Sequence, residues 1–78
     1  MSFLGLIYNR RLEYDIALSY QLKVIKYFPD YDNGYNAVGN TYRLLKNYDK
    51  AFDYIYKCLE LNPKNYYASG TLAEIYAE

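Results

Sequence analysis

Apolar and aromatic side chains return along this chain every three or four residues, in five runs separated by polar breaks. The runs are Phe3, Leu4, Ile7 and Tyr8; Tyr14, Ala17, Leu18, Leu22 and Ile25; Tyr35, Val38, Tyr42 and Leu45; Ala51, Ile55, Cys58 and Leu59; and Leu72, Ile75 and Tyr76. Such spacing places each run on one face of a helix. No segment alternates with period two over a useful length, so no sheet is expected. The breaks carry stop and start chemistry. Pro29 and Pro63 lack a backbone donor and disfavour helix in the residue before them. Asp30, Asp32, Asn47, Asp49 and Asn65 are side chains suited to capping the free N–H groups of a following helix. The pattern predicts five helices, at about 1–10, 14–27, 33–45, 49–61 and 66–77.

The punctuation repeats. Tyr48, Ala51 and Pro63 follow Tyr14, Ala17 and Pro29 by 34 residues, and Gly39 and Tyr42 follow Gly5 and Tyr8 by the same step. A fixed period of this length marks a repeat architecture. Gly39 lies inside a strong helical pattern, where glycine costs about 1 kcal/mol against alanine. The missing Cβ is expected to admit a neighbouring helix. Gly5 and Ala73 stand at the equivalent places, and Ala17 and Ala51 supply small residues on the facing helix. Stacked two-helix hairpins follow.

Composition narrows the function. The 78 residues suit one small domain, and 53% hydrophobic content is far above that of disordered chains. Nine basic residues balance nine acidic ones. No long-range field gathers phosphate or anionic lipid, which weighs against nucleic acid and membrane as partners. The run at the start, MSFLGLIYNRR, has its arginines after the apolar stretch, unlike a signal peptide. No stretch approaches the ~20 apolar residues of a membrane span. A single cysteine, Cys58, permits no internal disulfide, and a reducing cytoplasmic setting is expected. The thirteen tyrosines are read as compositional bias.

Catalytic chemistry finds little support. There is no histidine, the commonest general base and metal ligand at neutral pH. Cys58 falls on an apolar helical face with no basic partner nearby in sequence, the setting of a structural thiol. Asp53 and Lys57 form an i,i+4 pair of the kind found on solvated faces. No enzyme, cofactor or metal site is expected.

The motifs resemble the tetratricopeptide repeat, a 34-residue helix-turn-helix unit with the pattern W-x2-L-G-x2-Y…A-x3-F…P. Residues 32–65 are similar to one complete unit. Tyr35 stands for the bulky aromatic, Val38 and Gly39 for the Leu-Gly pair, Tyr42 for the tyrosine, Ala51 for the small residue and Pro63 for the closing proline, with Ile55 in place of phenylalanine. In the preceding copy Met1, Leu4, Gly5, Tyr8, Ala17 and Pro29 fit, while Gln21 replaces the phenylalanine. The last copy retains Leu72, Ala73 and Tyr76. The resemblance implies a single all-α domain, a right-handed α-solenoid of stacked antiparallel helix hairpins with about five helices. Its parts are a first repeat over 1–31 that lacks its first residues, a complete repeat over 32–65, and the first helix of a third repeat, or a capping helix, over 66–78.

The resemblance further implies a non-catalytic protein-interaction scaffold, part of a longer repeat protein, that binds a protein or peptide in a concave groove lined by the first helix of each unit. The implied groove residues are Leu6, Asn9 and Arg10; Asn33, Asn36, Ala37, Asn40, Arg43 and Leu44; and Tyr67, Gly70, Thr71 and Glu74. Asn36 and Asn40, four apart, share a face and offer carboxamides to a peptide backbone. Arg10 and Arg43 are suited to a two-pronged contact with a carboxylate. Family members that clamp a C-terminal carboxylate need lysine, asparagine and arginine at set places. Here those places hold Ser2, Leu6, Ala37, Tyr67 and Thr71, so that chemistry is not expected. The alternative is a structural segment that forms homo-oligomers through uncovered terminal helices, with Leu72, Ile75 and Tyr76 at the contact.

Overall fold

The computed structural model describes the backbone of residues 3–77 and the side chains of residues 11–77. Four helices follow one another: α1 (Phe3–Tyr27), α2 (Asp32–Leu44), α3 (Tyr48–Leu61) and α4 (Tyr66–Ala77), with no strand among the described residues. Three of the five expected helices appear within a residue of their expected bounds. The other two are one. Where a turn was expected near residues 11–13, α1 continues unbroken for 25 residues.

The internal repeat supplies the physical reason. Leu45, Lys46 and Asn47 form the turn of the complete unit. Lys46 adopts a left-handed φ of 65°, while Asn47 N donates to Tyr42 O at 2.9 Å and Lys46 N to Arg43 O at 2.9 Å. These bonds close the end of α2 as a Schellman motif. The Asn47 side chain then caps α3, accepting from Lys50 N. The residues 34 positions earlier are Arg11, Leu12 and Glu13. All three are good helix formers, and glutamate is a poor N-cap beside asparagine. Nothing there offsets the cost of a left-handed residue, so the helix runs on.

Pro29 and Pro63 sit two residues beyond α1 and α3, as their chemistry requires. Among the expected caps, Asn65 accepts from Ala68 N at 3.1 Å and starts α4. The N-cap of α2 is Tyr31, with no side-chain bond.

The core lies between α2, α3 and α4. Val38, Ala51, Ile55, Cys58 and Ala68 are fully enclosed and Ile75 nearly so, with Tyr35, Tyr42, Tyr48, Phe52, Leu59 and Leu72 packed around them. Gly39 explains how α2 and α3 come so close. A Cβ at this position would stand 2.6 Å from Ile55 Cγ1 and 3.1 Å from the Ala51 carbonyl oxygen. Helix α1 packs on α2 and on no other described helix. One contact there is polar: Thr41 Oγ1 lies 2.7 Å from Gln21 Oε1. Gln21 is the residue that replaces the expected aromatic, and it gives Thr41 a bond where Ile55 gives α2 an apolar contact. No described helix is long and apolar enough to cross a membrane.

Candidate functional site

Helices α2 and α4 flank an open cleft of about 410 Å³, lined by Asn36, Asn40 and Arg43 from α2 and by Tyr66, Tyr67, Gly70, Thr71 and Glu74 from α4. Residues three and four apart on each helix supply these side chains, so one stripe of each helix faces the cleft. Packing of the opposite stripes against α3 sets this orientation.

Hydrogen bonds fix the polar groups. Thr71 Oγ1 lies 3.0 Å from both Asn36 Oδ1 and the Tyr67 carbonyl, and shares its single proton between them. Arg43 Nε donates to Asn40 Oδ1 at 3.0 Å. Both carboxamide oxygens are therefore engaged inside the protein. The Nδ2 hydrogens of Asn36 and Asn40 make no bond among the described residues, and they are the donors on offer to an occupant. At one end of the cleft Arg43 Nη2 meets Glu74 Oε2 at 3.0 Å. The arginine side chain is 14% exposed and the glutamate 60%, so the pair neutralises this end without strong screening of the cation. Tyr66 and Tyr67 cover the other end, with ring centroids 4.5 Å apart and hydroxyl oxygens 3.4 Å apart. Their contact pushes the Tyr66 hydroxyl above its ordinary value, through the hydrogen bond first and the second phenolate's charge next.

A smaller cleft of about 140 Å³ adjoins at Tyr66 and Tyr67, lined also by Asp32, Asn33, Asn62, Lys64 and Asn65. Asn65 is buried and central to it. Its Nδ2 donates to Asp32 Oδ2 and to Asn33 Oδ1, each at 2.8 Å, while Asn62 Nδ2 donates to the same Asp32 oxygen at 2.9 Å. These bonds tie the start of α2 to the loop before α4 and set the angle between the two walls of the larger cleft. They favour the carboxylate and hold the Asp32 pKa below its ordinary 3.8, the Asn62 bond contributing most and the Asn65 bond next.

Acid unfolding therefore carries an Asp32 signature. A carboxylate whose folded pKa is depressed contributes stability in full above its unfolded value, and loses it as pH falls through the folded one. The difference in melting temperature between the protein and its Asp32→Asn variant should be positive at neutral pH and shrink below about pH 4. An unchanged difference down to pH 2 would contradict this.

The structure brings together Asn36, Asn40, Arg43, Tyr67, Gly70, Thr71 and Glu74 of the expected groove. Asn33 belongs to the smaller cleft. Leu44 is 37% exposed and Ala37 half-buried, and neither lines either cleft. Leu6, Asn9 and Arg10 lie outside the described side chains. Tyr66 was missed. Its signal was its place beside Tyr67 on the first turn of a helix whose wall was already expected.

The expected uncovered face on α4 is corrected in part. Ile75 is 7% exposed and Leu72 packs against the core, so both point inward. Both pack into the core cluster built with Ala51, Ile55 and Cys58 of α3, so α3 is their cover. Tyr76 alone remains exposed, its ring 5.5 Å from Phe52 and its hydroxyl 3.3 Å from that of Tyr56.

Other chemistry is sparse. Among the described residues no three metal-ligating side chains gather. Cys58 is fully enclosed, and burial, then the charge of Asp32, pushes its thiol above the ordinary range. It is a packing residue.

Residues 33–65 match the family model of the tetratricopeptide repeat. No curated protein matches the chain. The matched span holds the α2–α3 hairpin and ends at Asn65, the cap of α4.

Proposed function

Residues 33–65 are a tetratricopeptide repeat, a unit that generally mediates protein–protein interaction, and on that premise we propose that the α2–α4 cleft binds an extended, uncharged peptide segment of a partner protein. The observation that carries this reading is the pair of carboxamides at Asn36 and Asn40, whose oxygens are held internally by Thr71 and Arg43. Four residues of helix separate the two by about 6 Å along the axis. Alternate residues of an extended chain, whose carbonyls point the same way, are separated by about 6.6 Å. Two donors at this spacing suit two such carbonyls. Because Glu74 already neutralises Arg43, the cleft selects an occupant by its backbone and by side chains that lie on Tyr66 and Tyr67, and a charged terminus is not required. This is the non-catalytic interaction role that the family generally plays.

Phage-displayed short random peptides, selected on the immobilised protein, test the reading. Enriched peptides are expected to lose about tenfold in affinity for an Asn36→Ala/Asn40→Ala variant, the effect of two neutral hydrogen bonds of modest worth. Far-UV circular dichroism confirms that the variant is folded. Peptides that bind the folded variant as tightly as the parent would overturn the proposal.

A further inference from the structure

Helix α1 carries an exposed apolar stripe whose natural cover the repeat itself identifies. Leu12, Ile16, Tyr20, Val24 and Tyr27 recur at steps of four and three, and all are at least 38% exposed. The residues 34 positions later are Lys46, Lys50, Tyr54, Cys58 and Leu61. In the middle of that face α3 is covered, for Tyr54 stacks on Tyr42 at 5.6 Å between centroids and Cys58 is fully enclosed, while Lys46, Lys50 and Leu61 at its ends are exposed. Its counterparts on α1 are open, with Tyr20 65% and Val24 38% exposed. A first helix covers the middle of this face in the complete unit. On α1, whose one described helical neighbour is α2, that helix reaches the stripe at Val24, whose Cγ1 lies 3.7 Å from the place of a Cβ at Gly34, and Tyr20 is left 65% exposed.

The chain does contain a matching first helix. Residues 1–10 hold Leu4, Gly5 and Tyr8 where α2 holds Val38, Gly39 and Tyr42. In the structure residues 3–10 belong to the same unbroken helix as the stripe. A helix advances about 1.5 Å per residue, so an unbroken α1 carries its own residues 3–10 away from the stripe. They cannot fold onto the stripe without the turn that Arg11, Leu12 and Glu13 fail to make.

We propose that a second copy of the chain covers the stripe, by exchange of the N-terminal arms. Two α1 helices run antiparallel about a two-fold axis, each giving residues 3–10 to the other's exposed stripe. The Tyr42–Tyr54 stack of the complete unit sets the register. Moved back by one period, it places position 8 of one copy beside position 20 of the other. In the same register position 12 meets position 16, so the stripe is continuous through the crossing point. The hinge is the missing turn. Exchange substitutes one intermolecular helix pair for the hairpin that the complete unit forms within itself.

Light scattering over a range of concentrations, on the full chain, reads the outcome. The expected mass at high concentration is twice the 9.3 kDa of one chain. Leu12→Gly/Glu13→Asn restores a left-handed position and a cap at the hinge, and should return the protein to a monomer by letting the arm fold back. Tyr20→Glu, a substitution at an exposed position, should weaken the dimer at least tenfold while α2–α4 remain folded by circular dichroism. Tyr76→Ser, on the far end of the domain, should leave the dimer intact. A parent protein that is monomeric throughout overturns the proposal. So does a dimer that survives both the hinge and the Tyr20 changes, or one that Tyr76→Ser dissolves.

Discussion

Replacing Ile55 with alanine should lower the unfolding free energy by about 3 kcal/mol, the largest loss expected from any single truncation in this chain. Ile55 is the largest of the fully buried side chains. It fills the space beneath Gly39 and packs in the cluster that joins α3 to α4. Truncation removes its transfer free energy and leaves a cavity that three helices hold open. A chain of this length has a total stability of roughly 4–12 kcal/mol, so the change removes a large share of it. The melting temperature should fall by about 15 °C. Leu44→Ala, at a position 37% exposed, is the control and should cost about 0.5 kcal/mol. Chemical denaturation followed by circular dichroism measures both. A loss below about 1 kcal/mol for Ile55→Ala would mean that the core is not where the structure puts it.

The second large effect is at Gly39. Substitution by valine should destabilise by about 3 kcal/mol, because side-chain atoms there meet Ile55 and a backbone oxygen that cannot move aside. Alanine is the sharper test. It gains about 1 kcal/mol of helix propensity, yet its Cβ would lie 2.6 Å from Ile55 Cγ1. In the parent protein the clash should win, for a net loss of about 1 kcal/mol. In an Ile55→Ala background both Ile55 contacts are gone and only the 3.1 Å approach to the Ala51 oxygen remains, so the same substitution should cost measurably less. At Gly70 nothing lies within 4 Å of the added Cβ, so Gly70→Ala should stabilise by about 1 kcal/mol without any second change. A double-mutant cycle over Gly39 and Ile55 reads the coupling directly. Equal effects of Gly39→Ala in both backgrounds would show that the two residues are not in contact.

Gly39 was legible before any coordinates, because a glycine inside a helical pattern has a cost that only close packing explains. The bounds of α2, α3 and α4 were legible for a similar reason: proline and asparagine act locally, through a missing donor or a side chain that reaches its own backbone. The unbroken α1 was not read. The 34-residue period suggested a turn there, while Arg11, Leu12 and Glu13 lack the turn chemistry that the period implied, and local chemistry prevailed. In the cleft, the stripe of Asn36, Asn40 and Arg43 followed from helical spacing alone. What held those groups did not. The Glu74 carboxylate beside Arg43 and the Thr71 hydroxyl beside Asn36 come from another helix, 31 and 35 residues away, and no local pattern announces such pairs. The inward turn of Ile75 belongs to the same class, since α3 rather than a following helix covers it.

The central claim is that the α2–α4 cleft is the surface that recognises a partner. The most direct measurement is the backbone amide spectrum of isotopically labelled protein, titrated with a peptide enriched from the random library. Shift changes are expected to concentrate in residues 36–43 and 66–74, the two walls of the cleft. Changes confined to the outer face of α3, or to the exposed stripe of α1, would contradict the claim.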